Sequence, residues 1–288
     1  MLRSLLRSLY PSLFRLQVRL CCYFLDHFQR FNRTEVSIPP ALLRFRVSES
    51  LSVAKFTRIG RRCAEIINER IAACGIELNR GTRILDFGCG CGRTISWLIL
   101  KHSEVDFYGT DVDSQAVNWC RKHFRGANFG VNGPLPPLAD PDQYFTVVYC
   151  LSVLTHLNEA MQDVWLAELH RIVKPGGILV ITIHGRNATK TLSDEAKNAL
   201  LTKGFLHITS KKMKGILPDW YHTTWHSREY VFKCLSRWFE NVSYFEVPDG
   251  AQDFVVGYPK VPRPSISVQA RAELLDTRIR ERSLSFLE

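Results

Sequence analysis

With 288 residues, 45% of them apolar and 23% charged, the chain can bury a sizeable core as one elaborated domain or two small ones, and globular α/β is the expected class. A formal net charge of +10 suits an anionic partner such as nucleic acid, a membrane surface or an acidic glycan without choosing among them. No uninterrupted apolar run of about 18 residues occurs, which argues against a transmembrane helix, and the nine cysteines lack the C-x-x-C spacing of a zinc module and fit a reduced, intracellular setting as small core hydrophobes.

Residues 1–38 form a basic amphipathic segment. Leucines at 2, 5, 6, 9, 13 and 16 alternate with Arg3, Arg7, Arg15 and Arg19, no acid precedes Asp26, and Pro11 interrupts the pattern. Such a segment over residues 1–30 lies in a membrane interface, serves as a targeting sequence, or packs on the protein's own core. The arginines fit a secretory signal poorly. Cytoplasmic residence, at the inner membrane surface if the segment binds lipid, is the matching expectation.

Residues 39–78 read as a helical extension or lid. Pro39-Pro40 marks a turn, and Phe56, Ile59, Cys63, Ile66, Ile67 and Ile71 recur at helical spacing before Gly75 stops the helix. From about 79 the pattern alternates. Strands are expected near 82–87, 105–110, 127–131, 145–150 and 177–184, with helices near 92–101, 113–123 and 159–173. That order predicts a doubly wound, mostly parallel sheet covered on both faces. Further on, helices are expected near 193–203 and 227–239, around a basic stretch KKMKG and a Trp/His-rich loop. VSYFEV and DFVVGY then form an antiparallel close to this 79–258 domain, and residues 259–288 form a linker and tail helix.

The chemistry-bearing stretch is RILDFGCGCGR, residues 83–93. A glycine turn between a first strand and its helix is where an open α/β sheet receives a nucleotide-like ligand, and Gly88, Gly90 and Gly92 permit close backbone approach. The spacing alone also fits a merely tight connection. Two acids sharpen it. Asp111, ending the second strand about 20 residues on, suits a pair of ribose hydroxyls. Asp86 stands where a dinucleotide would place its pyrophosphate, so it repels that dianion and favours an ammonium or sulfonium group. A nicotinamide-dependent oxidoreductase is therefore disfavoured, also because Arg93 replaces the third glycine of G-x-G-x-x-G.

At this point the chain resembles the class I S-adenosylmethionine-dependent methyltransferases. The matching stretches are ILDFGCGCGR (84–93), GTDVD (109–113), YFTVVYCLSVLTHL (144–157) and LHRIVKPGGILVITIHG (169–185). The resemblance implies a Rossmann-like, seven-stranded, mostly parallel sheet with one antiparallel strand behind the helical N-terminal extension. It implies S-adenosyl-L-methionine as cofactor, its methionine part near Asp86, Gly88, Cys89 and Gly90 and its ribose on Asp111. Adenine would lie near Val112, Asn132 and Gly133, with Leu151 and Ser152 beneath. Arg93 either reaches the methionine carboxylate or faces solvent. A narrower similarity over about 39–258 is to a bacterial group associated with glycosyltransferases, which implies a sugar or glycan acceptor.

The expected activity is O-methyl transfer to a sugar, a glycan or a small hydroxylated metabolite, with a non-catalytic cofactor-binding module as the alternative. His156, after the fourth strand, is the candidate general base, against a purely structural histidine. His184, Trp225 and His226 are substrate candidates, with Trp220 and Tyr221 as further stacking surfaces; loop packing is the plainer reading of each. His222 and His226 share an H-x-x-x-H spacing, but nothing completes a metal site, and none is expected. The fourth strand ends YCLSVL rather than in the signature of amino-methylating nucleobase enzymes, so a nucleic-acid partner is unlikely.

Overall fold

The computed structural model describes residues 16–27, 34–209, 222–248 and 250–261. The KKMKG stretch, Trp220, Tyr221, most of the basic N-terminal segment and the tail helix lie outside them. Residues 16–27 are helical (α1). Two further helices, α2 (Ala41–Ser48) and α3 (Val53–Ala73), precede the sheet. Helix α3 starts on a Ser52 side chain that accepts the Lys55 amide. It stops at Gly75: the Gly75 amide bonds to Ala72 O and the Ile76 amide to Ile71 O, closing the helix end in a Schellman arrangement. Helix α2 begins directly after the Pro39-Pro40 turn.

The central sheet follows in βα alternation. Its elements are β1 (Arg83–Phe87), α4 (Ile95–Lys101), β2 (Asp106–Asp111), α5 (Ser114–His123), β3 (Ala127–Val131), β4 (Phe145–Cys150), α6 (Glu159–Ile172) and β5 (Val173–His184). Then come α7 (Arg186–Thr189), α8 (Asp194–Lys203), β6 (Phe205–Ile208), β7 (Thr223–His226), α9 (Arg228–Leu235), β8 (Phe239–Phe245) and β9 (Gln252–Pro259). Seven strands join in the order β3-β2-β1-β4-β5-β9-β8. Strands β1 to β5 pair in parallel, whereas β9 is antiparallel to both β5 and β8. This is the Rossmann-like, mostly parallel α/β fold that the alternation predicts.

Both sheet faces are covered, as buried parallel strands require. One core packs Ile67 and Ile71 of α3, Leu98 of α4 and Val117 of α5 against Ile84, Phe107 and Val147. The other packs Trp165, Leu166 and Leu169 of α6 and Val231 and Leu235 of α9 against Leu85, Val148 and Leu179.

Two expectations differ from the structure. Strand β5 starts at Val173 rather than near 177: Pro175 excludes Lys174 from helical backbone, so α6 stops at Ile172 and the chain enters the strand early, with Gly176 (φ +75°) at an irregularity in it. The supposed Trp/His-rich loop contains β7, which pairs antiparallel with β6 as a separate two-stranded sheet. Its alternation is only four residues long, too short to stand out among aromatics.

A buried ion pair fixes the β3–β4 connection. Glu168 is fully buried and accepts from the Leu138 amide at 2.7 Å and from Arg171 Nη2 at 2.6 Å and Nε at 2.8 Å. Arg171 also donates to Asp140 O and Asp142, and these carboxylates hold its guanidinium charged far above neutral pH. An Arg171→Met substitution strands the Glu168 charge, so urea unfolding is expected to show a loss of about 3 kcal/mol. A loss below about 1 kcal/mol would contradict that role.

Candidate functional site

The strand order reverses between β1 and β4, so the chain leaves these two strands in opposite directions and opens a crevice at their carboxyl ends. A cavity of about 270 Å³ occupies it. Its floor is the β1–α4 turn, its near walls are the ends of β2, β3 and β4, and its roof includes Leu43, Arg46 and Val47 of α2.

The turn is tight because its glycines leave no room for side chains. A Cβ on Gly88 (φ +79°) would lie 2.2 Å from Val153 Cγ2, and one on Gly90 (φ +52°) 2.6 Å from Val47 Cγ1. Asp111 holds this turn from the neighbouring strand: one carboxylate oxygen accepts the Gly90 amide at 2.8 Å, the other the Asp113 amide at 2.8 Å. Each oxygen keeps acceptor capacity beyond that bond. Burial raises the Asp111 carboxyl above its ordinary value, while the Asp113 and Gly90 amides favour its ionised form.

Asp86 is 3% exposed, in register with Gly109 on one side and Tyr149 on the other. Burial pushes its carboxyl up to about 8. The Tyr149 hydroxyl lies near enough to favour the carboxylate, though outside hydrogen-bond geometry, the Asp111 charge opposes ionisation, and Arg93 assists it. Asp86 thus stands in the cavity as a carboxyl group whose charge awaits a cation.

The other sequence-derived positions divide. Cys89, Arg93, Val112, Asn132, Leu151, Ser152 and His156 line the cavity with Asp86, Gly88, Gly90 and Asp111. Arg93 donates to Val47 O at 2.8 Å and so clamps α2 onto the turn. Asn132 accepts from Thr110 Oγ1 and donates to the Gly133 carbonyl, setting Gly133 immediately behind the wall. Ser152 has a left-handed backbone (φ +61°), held by its amide on Thr182 Oγ1 and its hydroxyl on Gln252 Oε1.

The substrate candidates lie elsewhere. His226 is buried and bonded to Gln162 Oε1 at 3.0 Å, and burial takes its imidazole down to about 3. His184 bonds to Thr224 O and packs beside the Trp225 ring, centroids 5.3 Å apart. None of the three lines the main cavity. No group of three or more potential metal ligands occurs among the described residues.

His156 does face the cavity. Its Nδ1 lies 2.6 Å from His222 O, and a carbonyl only accepts, so Nδ1 carries the hydrogen and Nε2 the lone pair. Burial, with His184 and His222 nearby, lowers this imidazole to about 4 against the opposing pull of that bond.

Sequence reasoning missed the roof and one wall. Leu43, Arg46 and Val47 arrive on α2, with Arg46 paired to Asp113 at 2.8 Å. Pro134, Leu157, Met161 and Trp165 form an apolar wall, where Trp165 donates to Pro134 O and rests on Phe87. The repeated apolar spacing of α6 signals Trp165 only as core.

A glycine turn beside the Asp111 carboxylate, with the Asp86 carboxyl where a dinucleotide would place its pyrophosphate, suits S-adenosylmethionine as cofactor. Residues 84–177 match the family described as "Methyltransferase domain". The chain is 28% identical over 134 residues to the fatty-acid O-methyltransferase of Mycolicibacterium smegmatis, covering 46% of this chain and 47% of that one. It is 26% identical over 145 residues to the phosphoethanolamine N-methyltransferase of Plasmodium falciparum, covering 49% and 54%. The chain thus spans about half the length of these curated relatives. The N-terminal domain of EvdMO1, solved with S-adenosylhomocysteine bound, shares the fold with a TM-score of 0.51 at 15% identity, over 70% of this chain and 81% of that one.

Two measurements test the site. Asp111→Ala is expected to weaken S-adenosylhomocysteine binding at least about tenfold by calorimetry, as loss of charge-assisted hydrogen bonds requires. Asp86 is largely protonated below about pH 8 in the free protein. A cationic ligand favours its carboxylate, so binding releases a proton and affinity rises with pH up to about 8. Binding enthalpies at pH 7 should therefore differ between buffers of different ionisation enthalpy, and Asp86→Asn should abolish the difference.

Proposed function

We propose that the chain transfers a methyl group from S-adenosylmethionine to the hydroxyl of a small acceptor with an apolar body. The observation that carries this reading is His156 in the cavity wall, a neutral imidazole whose Nδ1 is committed to the His222 carbonyl. When bound, the cofactor supplies an electrophilic methyl on a sulfonium with a neutral leaving group. Asp111 and the glycine turn orient it, and Asp86 favours its positive charge. The acceptor is held against Leu157 and Met161, which exclude water from the reacting pair. His156 then takes the hydroxyl proton at Nε2. A weak base suffices, because the attacking oxygen turns strongly acidic as its new bond forms.

A sugar or glycan is the second acceptor class. Among the described residues it draws less support, because Trp165 rests on Phe87 and Trp225 packs beside His184. The two relatives are named for acceptors as different as a fatty acid and phosphoethanolamine, so they do not choose between these classes.

His156→Gln is expected to lower kcat about 100-fold with a hydroxylated acceptor while leaving S-adenosylhomocysteine affinity unchanged. Since His156 stays neutral down to about pH 4, it should impose no inflection on kcat between pH 5.5 and 8, a range read directly from the rate profile. Undiminished turnover by the variant would remove His156 from the chemistry. Cofactor binding without turnover on any hydroxylated or glycan acceptor would favour the non-catalytic module.

A further inference from the structure

Helix α1 carries two apolar faces. The inner one is occupied: Val18 and Cys22 pack on Ala41 and Phe45 of α2, with Leu25 against the same cluster. The outer one meets no apolar partner among the described residues. Leu16, Leu20, Tyr23 and Phe24 are 55%, 49%, 71% and 58% exposed, and at 3.6 residues per turn they fall within about 100° of arc, opposite Val18 and Cys22. A stripe of this kind ordinarily faces a core.

The charges around it have one sign. Arg19 lies on the same helix, Arg3, Arg7 and Arg15 precede it, and the first acid of the chain is Asp26. That carboxylate is turned away from the stripe, accepting the Ala41 amide at 2.7 Å at the start of α2. The segment that carries the outer face is thus basic in sequence. A second copy of the chain would bring the same arginines against each other, whereas an anionic surface is complementary to them.

We propose that the outer face of α1 docks on an anionic lipid bilayer, the helix lying flat in the headgroup region with Leu16, Leu20, Tyr23 and Phe24 inserted. Such docking takes apolar side chains and cations together, and neither alone suffices. No helix among the described residues is long and apolar enough to cross a membrane, so contact through this helix would be peripheral. The inference is independent of the acceptor and of catalysis, yet it reaches the site: α2, on which α1 rests, carries Leu43, Arg46 and Val47 into the cavity wall.

The test is co-sedimentation of the full chain with vesicles of phosphatidylglycerol and phosphatidylcholine, or of phosphatidylcholine alone. Partitioning is expected to be at least about tenfold stronger on the anionic vesicles and to weaken in high salt. Leu20→Glu/Phe24→Glu, at two exposed positions, should reduce it at least about tenfold while melting temperature and S-adenosylhomocysteine affinity stay unchanged. Arg3→Gln/Arg7→Gln, which removes two of the segment's cations, should reduce it several-fold. Equal sedimentation by the wild type and the Leu20/Phe24 variant, or none by the wild type, overturns the proposal. A dimer seen by light scattering that the same variant dissolves, with vesicle binding unchanged, assigns the face to a second copy instead.

Discussion

The bond from the Gly90 amide to the Asp111 carboxylate fixes the relation on which the cavity depends. It ties the middle of the turn, where Gly90 has no side chain to anchor it, to the end of β2, and so joins the floor of the cavity to one wall. Arg93 then reaches from the far end of the same turn to the Val47 carbonyl and brings the roof down. Each connection has an unsatisfied backbone group as one partner, the cheapest anchor to provide in a buried turn. The cost falls on Asp86, a carboxyl in the middle of the sheet with no hydrogen-bonded partner to hold its charge.

That cost has a use. A permanently ionised carboxylate at this depth would destabilise the empty protein, and an amide would give a cation nothing to meet. A carboxyl pushed up to about 8 is neutral when the cavity is empty and ionises for a positively charged guest. Both properties trace to the burial of this one residue. His156 is handled in the opposite sense, its burial keeping a proton off rather than on.

The cofactor half was legible in the sequence because its determinants are local. Glycines two apart, an acid before them and a second acid one βα unit later stay close in the chain, and the fold brings them together without rearrangement. The acceptor half was not. His184, Trp225 and His226 drew attention as a cluster of unusual residues, yet backbone carbonyls, Gln162 and one another occupy them. The residues that do form the wall, Leu157, Met161 and Trp165, carry no signal separating them from core. Ser152 shows the same limit: its strained backbone rests on Thr182 and Gln252, 30 and 100 positions away.

The small sheet of β6 and β7 shares no ladder with the seven-stranded one. It leans on the main body through single bonds, such as the Thr224 amide on Thr155 O and the Thr224 hydroxyl on Leu157 O. Its buried Thr224 and His226, and the His222 carbonyl just before β7 that fixes the His156 ring, also tie it to the rim of the cavity. A change of length in this appendage is therefore felt at the His156 ring before it reaches the glycine turn.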